Sequence, residues 1–171
     1  MKNRTNALTV GMLLWVWLAG GAAMAAESTI PVAVADFDYY DTSGEPTDQQ
    51  AEHARRMAGF VTILRERLAA DGAFTVRELR CGKPDCTAGD LAPDELIKAA
   101  REAGARMLVY GGIHKISTLV QWGKVQAVDL DNEALLLDRS FSFRGDNDRA
   151  FQRAADFVMQ ILTTAAPAPA S

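Results

Sequence analysis

The stretch that decides the fold is Ile30-Pro-Val-Ala-Val-Ala-Asp-Phe37, which is β-branched and almost continuously apolar. An uninterrupted apolar run of this length is typical of a β-strand that is buried on both faces. Pro31 is compatible with this strand because it lies among the first residues, where a missing N–H costs little. A strand buried on both faces needs helices above and below it. The stretch therefore predicts an α/β protein with this strand near the centre of its sheet.

Segments with apolar residues at helical spacing follow this first strand. Thr47-Asp-Gln-Gln50 matches a capping box, in which Thr47 caps a helix and Gln50 reaches back to the cap. Glycines at the ends of the first two helical segments favour left-handed termination. The three predicted helices run from the Thr47 cap to Gly72, from Asp90 or Pro93 to Gly104, and from an Asp146 or Asn147 cap to residue 162.

Four further strands are predicted, at residues 74–79, 106–116, 119–130 and 135–143. Two helical crossovers make predicted strands 1, 2 and 3 parallel, whereas tight hairpins make strand 4 antiparallel to its neighbours. The order 2-1-3-4-5 puts the most apolar strand inside the sheet and the alternating strand 2 at its edge. Right-handed crossovers in opposite directions then place the first two helices on opposite faces. We therefore expect a three-layer α/β/α sandwich with a five-stranded mixed sheet.

The N-terminal segment has the three-part plan of a secretory signal peptide. Lys2 and Arg4 precede an uncharged, mostly apolar run at 7–19, and Ala23-Met24-Ala25 fits the small-x-small cleavage pattern. Cleavage is expected after the last of these alanines, which predicts a periplasmic protein. An uncleaved anchor spanning 7–26 is the alternative, but its second half is largely Gly and Ala, which contribute little to membrane insertion.

Composition and charge limit the function further. The chain has 171 residues, of which 49% are apolar, and a formal net charge of −4. Without residues 1–25 it keeps 16 basic and 22 acidic residues, a net charge of −6 that argues against sequence-independent nucleic-acid binding. Cofactor and catalytic motifs such as G-x-G-x-x-G, the P-loop and G-x-S-x-G are missing, so no cofactor is predicted. The predicted organisation is a signal peptide at 1–25, a single α/β domain at 26–162 and a disordered Ala/Pro tail at 163–171.

Four segments carry a resemblance to a known family. Residues 104–120 (GARMLVYGGIHKISTLV) and 143–148 (FRGDND), with 35–38 (ADFD) and 41–43 (DTS), resemble an uncharacterised family of secreted bacterial proteins, a domain of unknown function. The likeness covers about residues 29–162. The order of elements is also similar to the N-terminal domain of TolB and to related periplasmic and outer-membrane assembly modules. This resemblance implies a domain that binds protein partners without catalysis, and it carries over no catalytic residue.

Cys81 and Cys86 lie in the loop after predicted strand 2, with four residues between them. In an oxidising periplasm such a pair is expected to form a disulfide. Closing so small a loop adds about 2 kcal/mol in the chain-entropy model and mainly makes the loop rigid. The spacing differs from the C-x-x-C of redox enzymes, and no histidine lies nearby in the sequence, so no metal site is predicted.

Polar residues of several kinds follow predicted strands 1 and 3, between which the strand order reverses. Open α/β sheets bind ligands in the crevice at the carboxyl ends of such strands. The loop with the two cysteines lies at the same edge. The candidate ligand- or partner-binding residues are Asp36, Asp38 and Asp41 after strand 1, and His114, Lys115 and Ser117 at the end of strand 3.

Structural roles remain open for the same residues. Loop aspartates often cap backbone amides, and Lys115 is placed to pair with Asp38 or Asp41. A Ser-His-Asp triad is disfavoured because His114 and Ser117 are three residues apart on a regular strand and point to opposite faces. Lys115 and Ser117 share a face, but a Ser-Lys pair needs a desolvated lysine, which neighbouring aspartates oppose.

Other polar and aromatic residues are interpreted structurally. His53 lies beside the apolar stripe of the first helix and is interpreted as a boundary residue without function. Trp122 fits core packing, although polar residues around it indicate a partly exposed face that a partner could cover. Arg144-Gly145-Asp146 spells the tripeptide that integrins read, but its place before a helix cap favours coincidence.

Two functions of different classes follow from this sequence. The favoured one is a non-catalytic binding or accessory module of the periplasm that contacts another envelope protein. The signal peptide, the fold-level resemblance and the missing catalytic motifs support it. The alternative is a small-ligand-binding protein or hydrolase-type enzyme that uses the crevice at the carboxyl ends of strands 1 and 3. Neither a nucleic-acid partner nor a membrane span after signal cleavage is predicted.

Overall fold

The computed structural model describes residues 29–167. The predicted signal peptide and residues 168–171 of the predicted tail lie outside the described residues. The last helix continues through Ala165, so the first three residues of that predicted tail are helical. The elements are β1 (Ile30–Val34), β2 (Asp38–Asp41), α1 (Gln50–Asp71), β3 (Phe74–Arg77), α2 (Pro93–Glu102), β4 (Met107–Lys115), β5 (Val120–Asp129), β6 (Ala134–Arg144) and α3 (Asp148–Ala165).

The sheet confirms the predicted topology. Its main path has the order β3-β1-β4-β5-β6, which is the predicted order 2-1-3-4-5 in the numbering of the structure. β1 lies parallel to β3 and β4, and β5 is antiparallel to β4 and β6. The interior position of β1 follows from its apolar sequence, because helices cover both of its faces.

The sheet has six strands rather than the predicted five. The additional strand, β2, pairs in parallel with β4 and continues the line of β1 after a break at residues 35–37. Its sequence is Asp-Tyr-Tyr-Asp, which lacks the apolar pattern by which strands are predicted. Backbone pairing with β4, a tertiary interaction, therefore creates this strand where its own sequence gives no signal.

Two helices cover one face of the sheet and one helix covers the other. α1 and α3 pack on Val32, Val34 and Ile113, together with the other large apolar side chains of that face. α2 packs on Ala33 of β1, on Ala35 just after it, and on their neighbours on the opposite face. Side chains alternate along a strand, so β1 supplies branched residues to one layer and small residues to the other. The arrangement is the predicted three-layer α/β/α sandwich.

α2 covers only part of its face. It packs near Leu108 and Leu130, at the start of β4 and just after the end of β5. At the other end of β5, Trp122 is 51% exposed, and Tyr40 of β2, next to the other end of β4, is 58% exposed. We call this uncovered surface the open face. Its residues are Tyr40, His114, Trp122, Lys124, Ser140 and Ser142.

α1 begins later than its sequence predicts. Its N-cap residue is Gln49, so the predicted Thr47 capping box is wrong. The carboxylate of Asp48 instead accepts a hydrogen bond of 3.0 Å from the Gln50 N–H. The predicted end is confirmed, because Gly72 has a φ of 82° at the C-cap. Within residues 29–167, none of the helices combines the length and apolar composition that a membrane span requires.

Candidate functional site

A cluster of charged side chains is buried between the sheet and the start of α1. At its centre is Lys115, the last residue of β4, which is 0% exposed. Lys115 Nζ lies 2.7 Å from Asp146 Oδ2 and donates to Gln49 Oε1 at 2.7 Å. It also donates a short hydrogen bond to Glu45 Oε2. Oxygen acceptors from the β2–α1 loop, the α1 cap and the β6–α3 connection thus meet at one ammonium group.

His53 and Arg56, about one turn apart on α1, extend this cluster. His53 Nε2 lies 3.1 Å from Asp146 Oδ2 and 3.4 Å from Lys115 Nζ. Arg56 Nη1 donates to Asp146 Oδ1 at 2.6 Å. The Asp41 carboxylate lies 3.7 Å from both His53 Nδ1 and Lys115 Nζ. We call these five residues, together with Glu45 and Gln49, the Lys115 network.

The two central groups of the Lys115 network stabilise each other's charge. Burial raises the pKa of Asp146, but hydrogen bonds from Lys115 and His53 outweigh it and hold the pKa below its usual value. Burial lowers the pKa of Lys115, but hydrogen bonds to Asp146 and Glu45 outweigh it and raise the pKa overall. Lys115 therefore stays protonated at neutral pH. A protonated amine has no free lone pair for a nucleophile or a general base, so this geometry favours a structural role.

Ser117 and His114 make hydrogen bonds outside this network. Ser117 Oγ accepts from the N–H groups of Leu119 and Val120 at 3.3 and 3.1 Å, which closes the β4–β5 turn. His114 Nε2 lies 2.7 Å from Thr42 Oγ1. The hydroxyl that a Ser-Lys pair would need is therefore engaged with backbone amides of the turn.

Asp36 and Asp38 lie at a crevice at the carboxyl end of β1. A cavity of about 430 Å³ opens there between α1, the start of β2 and the loop with the two cysteines. Asp36 accepts from Arg65 Nη2 at 3.1 Å and from the Cys86 N–H at 3.0 Å. The Asp38 carboxylate accepts from the Gly89 N–H at 3.1 Å. Both aspartates therefore hold the cysteine loop against the end of β1.

The cysteine loop is also closed on itself. Cys81 and Cys86 lie at disulfide-bonding distance, and their Cα atoms are 5.6 Å apart, within the usual range for a disulfide. The Asp36 N–H donates to the Cys86 carbonyl at 3.0 Å, which adds a second bond between the same two residues. Among residues 29–167, no group of three or more His, Cys, Asp or Glu side chains is arranged to hold a metal ion.

The six candidate residues occupy separate places rather than one crevice. Asp38 and Asp41 are three residues apart on β2, an odd offset that directs their side chains to opposite faces of the sheet. His114 and Lys115 are adjacent on β4 and are separated in the same way. Asp36 and Asp38 thus line the crevice, Asp41 and Lys115 belong to the Lys115 network, His114 lies on the open face, and Ser117 lies in the turn.

The open face carries an aromatic row. Tyr40, His114, Trp122 and Ser142 are direct cross-strand partners on β2, β4, β5 and β6. The interpretation of Trp122 as a core residue is wrong, because α2 does not reach it and its neighbours are polar. The partly exposed face that the surrounding polar residues indicate is present. Two further apolar residues of the β4–β5 turn are exposed beyond the row, Ile116 by 46% and Leu119 by 70%.

Sequence reasoning missed His53 and Asp146. His53 is 4% exposed, not a boundary residue, and its partner Asp146 is 93 residues away in the chain. One signal was present, since His53 lies four residues before Met57 on the buried stripe of α1, where a polar group needs a buried partner. Asp146 is also the acid of the Arg-Gly-Asp tripeptide, and its carboxylate is occupied within the protein.

Several solved structures are similar to this chain at low sequence identity. TolB from Acinetobacter baumannii is 17% identical with a TM-score of 0.50, and the match covers 84% of this chain and 29% of that chain. The PelC dodecamer from Paraburkholderia phytofirmans in space group P6 is 16% identical with a TM-score of 0.49, covering 82% of this chain and 89% of that chain. The NMR structure of E. coli LpoB is 12% identical with a TM-score of 0.46, covering 85% and 83%. The likeness to TolB shows a common fold and nothing more.

The sequence itself gives a more specific match. No curated protein matches the chain. The model of the DUF3280 family, described as "Protein of unknown function (DUF2380)", matches residues 31–161, from the second residue of β1 through β6 and most of α3. The chain therefore belongs to this family.

Proposed function

We propose that this chain is a non-catalytic binding module of the bacterial envelope and that it contacts another envelope protein through its open face. The observation that carries the proposal is the aromatic row, in which Tyr40 and Trp122 are both more than half exposed. Tyrosine and tryptophan are enriched among the residues that dominate binding energy at protein interfaces. Exposed apolar side chains that adjoin each other mark interaction sites in soluble proteins.

The surroundings of the row fit a protein partner better than a small ligand. The row runs across four strands and continues to the apolar tip of the β4–β5 turn at Ile116 and Leu119. Lys124 and the serines of β6 surround the aromatic rings with polar groups. An apolar centre with a polar rim is the usual anatomy of a non-obligate interface.

Two further features support an envelope location. The first 25 residues have the plan of a signal peptide, which directs a protein to the periplasm when it is cleaved after Ala25. Cys81 and Cys86 lie at disulfide-bonding distance, and disulfides persist in oxidising compartments. In the periplasm, the open face would be accessible to other envelope proteins.

Site-specific photo-crosslinking in cells tests the proposal. A photoreactive amino acid at Trp122 is expected to give one main product with a second protein, identified by mass spectrometry. The matched control is the same amino acid at Gln152, an exposed position of α3 on the opposite side of the sheet. With the purified partner, Trp122→Ala is expected to weaken binding by at least about tenfold, the effect of losing an interface anchor.

Two results would contradict the proposal. A product containing two copies of this chain would assign the open face to self-association. Equal products from Trp122 and Gln152 would indicate contact without a preferred surface.

The crevice at the carboxyl end of β1 favours a second candidate function, ligand binding. The supporting observation is the cavity of about 430 Å³ lined by Asp36 and Asp38, a volume within the range of ligand sites in proteins. A hydrolase-type reaction has less support, because Lys115 is fully buried and Ser117 is bonded in a turn. Soaking the protein with a small-ligand library and measuring thermal shifts tests this candidate. Hits that Asp38→Asn removes would favour it.

A further inference from the structure

β2 has one backbone edge without a strand partner. β1 pairs with β3 on one side and with β4 on the other, whereas β2 pairs with β4 alone. The reason is that β3 ends at Arg77, level with Ala33 of β1, and does not extend alongside β2. In the described chain, the outer N–H and C=O groups of β2 are therefore available for strand addition.

The cavity of about 430 Å³ runs along this edge. Three consecutive residues of β2, Asp38, Tyr39 and Tyr40, line it. Side chains alternate between the two faces of a strand, so a cavity that contacts three in succession contacts the strand at its edge. The wall opposite the cysteine loop is apolar and comes from the N-terminal half of α1. Its residues are Ala54, Met57, Ala58 and Val61.

Among the described residues, the charged side chains that line this groove are all aspartates, one of which, Asp36, is paired with Arg65 beside the groove. Four aspartates line it, and none of its lining residues is Lys, Arg or His. Asp85 makes no hydrogen bond or ion pair with another described residue, so its carboxylate remains open to a ligand. The aspartates are Asp36, Asp38, Asp85 and Asp90.

The groove is held open by bonds rather than formed by loose loops. The Gly89 N–H fixes the Asp38 carboxylate, and a Cβ on Gly89 would lie 2.5 Å from Asp38 Oδ1. Glycine at this position thus allows the close approach. The paired bonds between Asp36 and Cys86, with the adjacent disulfide, fix the other end of the wall. A preformed groove loses little conformational entropy when it binds a segment.

We propose that this groove binds an extended, basic segment of a protein partner, which adds as a strand to the free edge of β2. Backbone hydrogen bonds to β2 supply the register, and lysine or arginine side chains meet the aspartates. Strand addition to an exposed edge is a recurring mode of peptide recognition, and the acidic lining selects the charge of the strand. The site lies apart from the aromatic row in all but Tyr40, so each surface can be tested without the other.

Peptides with matched charge separate strand addition from simple charge attraction. The probe is a short, capped peptide that alternates lysine and valine, and its partner is the same peptide with alternate backbone nitrogens methylated. Methylation removes hydrogen-bond donors from one edge and keeps every charge. By isothermal titration with the purified protein, we expect the methylated peptide to bind at least about tenfold more weakly, the effect of losing two backbone bonds. An acidic peptide that alternates glutamate and valine is expected not to bind.

Two variants locate the binding. Asp85→Asn removes a carboxylate that bonds to no other described residue. It is expected to weaken binding of the lysine peptide by about threefold. Asp71→Asn, at the exposed end of α1 and outside the groove, is the matched control and should change nothing. Amide hydrogen exchange should slow at Tyr39 to Asp41 when the peptide is bound.

Four results would overturn the proposal. In the first, the lysine peptide does not bind, and in the second and third, the methylated peptide or free spermine binds as tightly as the lysine peptide. The fourth result is an Asp85→Asn variant that binds the lysine peptide as tightly as the unmodified protein does. Such a result would not contradict the proposed function of the aromatic row, because that proposal is tested separately by crosslinking at Trp122.

Discussion

Near the turn of the β4–β5 hairpin, the burial of polar and aromatic side chains on the two faces is the reverse of the usual arrangement. Under α1 and α3, Lys115 and Gln121 are each 0% exposed. On the other face, Trp122 is 51% exposed and has His114 as its cross-strand partner. Charged groups are ordinarily left in water and aromatic rings buried, because solvation favours that arrangement. Here the charge lies inside and the largest aromatic ring lies outside.

This difference indicates that the two faces meet different requirements. A buried ion-pair cluster adds little net stability compared with apolar packing, but it is strongly destabilised when one partner is missing. Lys115 therefore determines how the β2–α1 loop, α1 and the β6–α3 connection meet. An exposed aromatic row contributes little to folding and remains free for a partner, as the proposed function requires.

Among the variants considered, Lys115→Met is expected to cause the largest loss of stability on the buried face. The carboxylates of Asp146 and Glu45 would lose their shared cation while remaining largely out of water. We expect the free energy of unfolding to fall by about 3–5 kcal/mol, measured by urea unfolding with circular dichroism. Lys124→Met, on the open face of the same hairpin, is the matched control and should change stability by about 0.5 kcal/mol or less. Equal losses in the two variants would contradict the comparison.

A smaller effect is expected at Gly123, on the buried face of β5. The ring of Phe141, its cross-strand partner, occupies the space that a Cβ would need. Gly123→Ala should therefore lower the free energy of unfolding by about 1–3 kcal/mol. Gly59→Ala is the control, because a Cβ there meets nothing within 4 Å. It should raise stability by up to about 1 kcal/mol through helix propensity. A Gly123→Ala variant with an unchanged free energy of unfolding would contradict this prediction and would show that the Phe141 ring moves aside at no cost.

Acid is expected to weaken the buried face gradually. Burial raises the pKa values of Asp146 and Asp41, but their hydrogen bonds outweigh it and hold both below the usual value. Their contribution is complete above the unfolded-state pKa of about 3.9 and is lost as the pH falls through the lower folded-state values. Unfolding free energies measured from neutral pH to about pH 3 should therefore decrease, by less than Lys115→Met causes.

The same titration has an internal control. In Lys115→Met, the amine that lowers the pKa of Asp146 is absent, so the decrease in acid should be shallower than in the unmodified protein. An equally steep decrease would place the acid sensitivity outside the Lys115 network.

The smallest effect on stability is expected for Trp122→Ala. Its ring is half exposed, so the free energy of unfolding should change by about 0.5 kcal/mol or less. The same variant should bind the purified partner at least about tenfold more weakly. Loss of stability comparable to that of Gly123→Ala would make Trp122 a packing residue and would remove the contrast between the two faces.

The topology could be predicted because its signals are local. The apolar run of β1 and the glycine that ends α1 are each visible within a few residues. β2 could not be predicted, because its two tyrosines lie between aspartates and only pairing with β4 makes it a strand. Without β2, the sequence carries no sign that Asp38 and Asp41 point to opposite faces, and it predicts that the six candidate residues converge on one crevice.

The predicted pairing of Lys115 with Asp38 or Asp41 is confirmed for Asp41, but the rest of the Lys115 network lay beyond prediction for a different reason. Its bonds join residues that are far apart in the chain, such as Lys115 and Glu45, which are separated by 70 positions. No periodicity reports such a contact. Only the odd place of His53 on an apolar stripe indicates that a buried polar partner exists somewhere.

The start of α1 has a consequence for the order of folding. Gln49, its N-cap residue, makes no capping bond, because its side-chain oxygen accepts from Lys115, 66 positions away. The first turn of the helix therefore gains much of its support from a non-local contact, which carries a large loop-closure entropy. During refolding, the C-terminal half of α1 should acquire amide protection first. Its first turn should follow only when β4 has docked, which makes the burial of one lysine a late kinetic event.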